Sequence, residues 1–254
     1  MSVTQQPGQP PQKQEATWMP LVGNISGCLP GLEYLTQLDQ ILIEQQVDLI
    51  EVLLAWECNN KYRVMNSMNQ QCYYAAEKTD TLMRLCCGSN RGFKIHVVDN
   101  AGKEVLRIRR DFKCCGGCCW CADADCAAHE VIVETSEGEP LGYVRQLPSK
   151  WKGHYGILDS SRNQIMEIWG PCCGCQGLCC RADVDFPVRS MQDGNIVSKI
   201  SKQWGGVARE IFTDAEKFSV TFPQDLDVKV KATLMGAVFL IHFMYYEEDE
   251  SQNS

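Results

Sequence analysis

The chain lacks the features that most readily assign a function. No secretory signal opens it: MSVTQQPGQPPQKQ has no apolar run and no cleavage pattern. The expected compartment is therefore the reducing cytosol, where disulfides are rare. Basic residues are not in excess. Lys and Arg number 24 against 32 Asp and Glu, for a net charge of −8. Bulk charge thus favours neither nucleic acid nor an anionic lipid surface. No Walker sequence is present to couple ATP. The four histidines, His96, His129, His154 and His242, have no Ser or Cys partner at a recognised motif spacing. No catalytic constellation emerges. Long apolar runs are scarce too, and the one that stands out is ATLMGAVFLIHFMYY, residues 232–246.

That run decides much of the fold. Lys229 and Lys231 precede it, and Glu247, Glu248, Asp249 and Glu250 follow. As a helix it is apolar on every face, which means burial in protein or in lipid. Fifteen residues rise about 22 Å, short of a hydrocarbon core of about 30 Å. One reading is a marginal span with its lysine end in the cytoplasm. The other is a core helix surrounded by the rest of the chain. Ala232, Gly236, Phe239, His242 and Tyr246 belong to it either way. Gly236 and Ala237 allow close approach to a wall. His242 is expected to be neutral and bonded to a backbone carbonyl, a proton or headgroup role being the sharper alternative.

Residues 1–24 are rich in Gln and Pro and are expected to be a disordered tail. Pro7 to Pro10 fits PxxP, a pattern that docks SH3-type grooves. A domain over 25–247 and an acidic tail over 248–254 complete the layout. Leu32, Leu35, Leu38 and Ile41 lie three apart after Pro30, which predicts a helix. Strands are expected over 47–58, 61–66 and 71–78, then a short polar helix or loop over 79–90. Hairpins follow at 93–110, 130–146, 155–170 and 183–204, with turns at Asp99, Glu137-Gly138 and Asp193-Gly194. Clusters, turns and tryptophans recur, suggesting duplication of a four-stranded unit. KFSVTFP (217–223) adds one more strand. The sum predicts a mainly β protein: a closed, twelve-stranded antiparallel barrel with the apolar C-terminal helix inside.

Cysteine, by contrast, is abundant: sixteen residues. The first cluster is Cys114, Cys115, Cys118, Cys119, Cys121 and Cys126. The second is Cys172, Cys173, Cys175, Cys179 and Cys180. Clustering points to metal, lipid or reactivity. Cys115-x-x-Cys118 and Cys172-x-x-Cys175 have the spacing of zinc ligands, and Cys179 and Cys180 stand close to the second pair. Idle thiols are the bland alternative.

The segments CLPGLEYL (28–35), TLMRLCC (81–87), GYVRQ (142–146), DVDFPV (183–188), SKISKQWGG (198–206), REIFTDAEKF (209–218) and FPQDLDVKVKATLMGAVFLIHFMYYE (222–247) resemble the phospholipid scramblase family. The resemblance implies a Tubby-like barrel around a C-terminal helix. It also implies a single-span description that competes for residues 232–246. The activity implied is calcium-dependent, ATP-independent movement of phospholipids between leaflets, with a homo-oligomer as one form. The rival is an acylated adaptor with no lipid transport of its own. Cys114, Cys115, Cys118, Cys119 and Cys121 stand at the family's palmitoylation run, with Gly116-Gly117 where the family has a proline. Acylation implies the plasma membrane, and its absence the nucleus.

The family's EF-hand-like loop falls on 214–225, implying Ca²⁺ ligands among Asp214, Glu216, Asp225 and Asp227. Phe218, Val220 and Phe222 occupy its middle, which reads as a strand. Ser219 and Asp225 replace the Gly and Glu of a true loop. Asp225 or Asp227 as a helix cap is the alternative. Lys199, Ile200, Ser201, Lys202 and Trp204 match the family's nuclear import signal, which implies an import-receptor partner. A solvated strand face is the alternative.

Overall fold

The computed structural model describes residues 17–23, 25–46, 60–79, 86–87, 90–113, 116, 120–172, 183–203 and 217–246. Tight hairpin turns set its geometry. Each contains a residue with left-handed backbone: Asn69 (φ 59°), Gly102 (75°), Gly138 (90°), Arg162 (65°) and Gly194 (71°). In three of them an Asx side chain closes the turn in the same way. Asn66 Oδ1 accepts from Met68 N and Gln70 N, Asp99 Oδ1 from Ala101 N and Lys103 N, and Asp159 Oδ1 from Ser161 N and Asn163 N. The pairing register slips beside every one of these turns, at Met65, Val98, Glu134, Leu158 and Arg189. A left-handed residue with an adjacent bulge strengthens strand twist. Accumulated twist curls the sheet toward closure.

The described residues form twelve strands: β1 (Gln40–Gln46), β2 (Lys61–Met65), β3 (Gln71–Lys78), β4 (Phe93–Val98), β5 (Glu104–Arg110), β6 (Glu130–Thr135), β7 (Pro140–Gln146), β8 (Lys152–Asp159), β9 (Gln164–Cys172), β10 (Val184–Ser190), β11 (Ile196–Gln203) and β12 (Lys217–Thr221). Each pairs antiparallel with its neighbours in sequence. β1 closes the barrel on β12, with Ile41 opposite Val220 and Ile43 opposite Phe218. Alternate residues point inward, as the two-residue period requires. Phe93, Ile95 and Val97 of β4 and Phe186 and Val188 of β10 are buried in this way.

The helix α1 (Val228–Tyr245) fills the lumen and is buried from Lys231 to Phe243. Its largely apolar surface is explained by enclosure within the closed barrel. Gly236 lies so close to β6 that an added Cβ would overlap Val133 Cγ2. Gly142 makes the matching approach from β7, against Thr233 Oγ1 of the helix. Phe243 stacks on Phe93 with ring centroids 4.2 Å apart, and Phe239 meets Tyr62 edge-on at 5.2 Å. Among the described residues α1 is the one helix long and apolar enough to cross a membrane, and most of it is enclosed.

Two local expectations need correction, and one falls on residues outside those described. The predicted helix after Pro30 is a single 3-10 turn, Glu33–Thr36, and Ile41 already lies in β1. Leu32, Leu35, Leu38 and Ile41 are all buried nonetheless. A three-residue spacing suits the 3-10 turn's own period. Second, the strand expected over 47–58 lies outside the described residues, and β1 takes its place in the count. Third, residues 17–23 do not belong to a free tail. Met19 N donates to Gln71 O, Gln71 N donates to Thr17 O, and Trp18 packs edge-on against Tyr74.

The strand directions give the barrel two unlike rims. One carries the tight hairpin turns and the start of α1. The other carries the ends of β1, β3, β5, β7, β9 and β11, and the end of α1.

Candidate membrane interface

Both cysteine-rich connections, β5 to β6 and β9 to β10, depart from and return to the second rim. A polar plug underlies it. Arg91 and Glu77 are buried and paired at 2.9 Å. Asn60 Nδ2 and Thr79 Oγ1 each donate to Glu77 at 2.6 Å. Arg110 donates to the Arg91 carbonyl from Nε (3.1 Å) and Nη2 (2.7 Å), and covers the Phe93 ring. Arg91 covers Phe243 near the end of α1. Charges buried in this way must be paired and hydrogen-bonded to persist. The plug ties the connections before β4 and after β5 to the core.

The first cysteine connection rests on this plug. Gly116, within CCGGCC, packs on His129, and an added Cβ would overlap the imidazole. His129 is buried, its Nε2 3.2 Å from Asn90 Oδ1. Burial, aided by the Arg110 and Lys113 charges, lowers its pKa to about 3. Cys121 and Cys126 are exposed. Cys72, within β3, is the contrast: burial pushes its thiol up to about 12, leaving it inert. Cys114, Cys115, Cys118 and Cys119 lie outside the described residues. Cys172 ends β9, while Cys175, Cys179 and Cys180 lie outside the described residues. Among the described residues no group of three His, Cys, Asp or Glu side chains is placed to hold a metal.

Of the proposed calcium ligands, only Asp225 and Asp227 lie among the described residues. Lys217–Thr221 is β12. Asp225 and Asp227 follow β12 at the turn rim. Asp214 and Glu216 precede it and lie outside the described residues. Asp227 is already engaged as the cap of α1, where its Oδ1 accepts from Lys229 N (2.8 Å) and Val230 N (3.3 Å).

The import segment is β11. Ile200 is fully buried, and Ser201 Oγ donates to Asp185 Oδ1 at 2.5 Å. Lys199 pairs with Asp185 at 3.2 Å, and Lys202 lies over the Tyr246 ring. Trp204 lies outside the described residues. His242 is buried as expected, and its Nε2 lies 3.1 Å from the Tyr62 hydroxyl.

Sequence reasoning missed Glu77, Arg91, Arg110 and Lys231. Glu77, Arg110 and Lys231 are charged residues at inward strand or helix positions, Arg91 stands in the connection before β4, and no short-range spacing marks such sites.

A family model described as Scramblase matches residues 19–248. Phospholipid scramblase 2 of Bos taurus is 45% identical over 245 residues, 96% of this chain and 80% of that protein. Phospholipid scramblase 1 of Homo sapiens is 45% identical over 235 residues, 92% of this chain and 71% of that protein. A solved protein from Arabidopsis thaliana is a remote likeness, 12% identical with a TM-score of 0.42, over 82% of this chain and 94% of that one. On the family match and the extent of these identities, the chain belongs to the scramblase family.

Proposed function

We propose that this protein moves phospholipids between membrane leaflets in both directions and without ATP, and that it is not an enzyme. The observation that carries this reading is the identity, over most of the chain, to relatives named phospholipid scramblases. The enclosure of α1 supports one version of it. With that helix inside the barrel, contact with the bilayer falls to the rim. Acylation of Cys114, Cys115, Cys118, Cys119 and Cys121 supplies the anchor. One acyl chain holds weakly and two or more hold stably. The protein then sits on the cytoplasmic face of the plasma membrane, and an unacylated pool is free to reach the nucleus. An enclosed helix offers no groove for headgroups, so lipid movement requires several copies disordering the leaflet beneath them.

Calcium dependence enters this reading from the family resemblance alone. Its candidate ligands are Asp214, Glu216, Asp225 and Asp227, of which Asp227 also caps α1. Zinc held by Cys172, Cys175, Cys179 and Cys180 is the rival use of the second cluster, and stoichiometric zinc in purified protein would establish it.

Full-length protein reconstituted into fluorescent-lipid vesicles tests the activity. Reductant added outside should bleach well beyond the outer-leaflet half, with no ATP present. Bleaching equal to that of protein-free vesicles defeats it. The enclosed helix also favours a second reading, an acylated adaptor without transport, docking SH3-type partners through Pro7 to Pro10. Membrane partition that depends on the cysteines without any scrambling would select it.

A further inference from the structure

Beside the first cysteine connection stand two tryptophans that the core does not use. Trp120 and Trp151 are 59% and 64% exposed. Their rings meet edge-on at 5.3 Å, joining the β5–β6 connection to the β7–β8 connection. Phe112, at the start of the first connection, is 44% exposed. Lys150 and Lys152 flank Trp151, both are exposed, and among the described residues neither belongs to an ion pair. Of the acids on the first connection, Asp125 pairs with Arg145 and Asp111 with Arg109, while Asp123 is exposed.

We infer that Trp120 and Trp151 form a docking element that seats this rim in the headgroup region of a phospholipid bilayer. Indole rings have an apolar body and a polar N–H, and they concentrate where water meets lipid. Flanking lysines add attraction to anionic headgroups. Covalent adjacency fixes the partner: Trp120 lies between Cys119 and Cys121, so a lipid chain on either thiol draws the indole to the bilayer surface. This inference rests on the membrane-facing reading of the rim. It adds that the rim binds lipid before any acyl chain is attached.

The test uses the full chain made in a host without protein acyltransferases. Partition is measured on phosphatidylcholine vesicles and on phosphatidylcholine–phosphatidylserine vesicles, with quenching by brominated lipid. Wild type should bind both, more strongly with phosphatidylserine, and its fluorescence should be quenched. W120S/W151S should bind about tenfold more weakly, from the loss of two half-exposed indoles, and lose most of the quenching. K150Q/K152Q should remove the phosphatidylserine preference and keep the quenching. An unchanged thermal melt shows that the variants fold. Equal partition of wild type and W120S/W151S overturns the inference, as does absence of wild-type binding. Dissolution of a dimer by W120S/W151S, with partition unchanged, also overturns it and makes the patch a protein interface. Lipid flipping is not the readout, so a chain that docks through these rings and does not scramble loses only the activity reading.

Discussion

Lys231 Nζ donates to the Leu38 carbonyl at 2.7 Å inside the barrel, where Lys231 is fully buried. The same ammonium reaches Leu35 O at 2.9 Å and Gln224 O at 2.6 Å, and lies over the Phe222 ring. One side chain of α1 thus ties together the 3-10 turn, the approach to β1 and the link from β12. Burial lowers its pKa, yet three carbonyls satisfy all three N–H donors. K231A should lower unfolding free energy by about 3 kcal/mol, because it leaves a cavity and unsatisfied carbonyls. K231M fills the space and should cost less. Denaturant melts of both variants check this order.

The pH dependence should carry the signature of His129. Its folded-state pKa is held near 3, against 6.5 when free. Above pH 6.5 the ring is neutral folded or unfolded and contributes no slope. Between 6.5 and about 3 the unfolded chain takes up a proton that the folded chain refuses. Stability therefore falls as pH falls, by up to about 1.4 kcal/mol per unit. H129Q should flatten that limb. A stability–pH profile in which H129Q and wild type stay parallel would remove His129 as the cause.

Much of this fold is legible in the chain. Asp99 with Gly102, Gly138, and Asp193 with Gly194 mark hairpins because left-handed backbone needs residues of that kind. The apolar run needs burial on all faces, and barrel closure supplies it. The start of the domain is harder to read, since Leu32, Leu35, Leu38 and Ile41 keep a helical spacing across a 3-10 turn and a strand. Only the tertiary wall makes these one buried set. The rim is least legible. Trp120 and Trp151 are 31 residues apart in sequence, and two connections must fold before they touch. The Glu77–Arg91 pair is likewise a product of topology.

Asp227 separates helix capping from calcium binding. D227A removes the cap and should cost about 1 kcal/mol. D227S restores a hydroxyl acceptor and should recover most of that stability without a carboxylate. If the segment binds no ion, D225N/D227S should leave any calcium dependence of lipid scrambling unchanged. A shift of the calcium midpoint in D225N/D227S, with stability unaltered, would reinstate these carboxylates as ligands.

The position of α1 yields the strongest expectation. Phe239 is buried against Tyr62, and Leu240 is fully buried beside it in the helix. Either residue changed to Asp would place an unpaired carboxylate inside the barrel, at a cost of several kcal/mol. F239D should therefore abolish the cooperative melt of the whole domain, beyond any release from membranes. A helix that spanned lipid would respond differently: F239D would block insertion and leave the barrel intact. Deletion of residues 228–246 discriminates further. With α1 as the core, the remaining strands lose the surface that Phe93, Tyr62 and Val133 pack against, and the product should aggregate or stay unfolded without detergent. A deletion product that is soluble, monomeric and cooperatively melting would mean that the barrel stands without its helix, and the spanning arrangement would then replace the enclosed one.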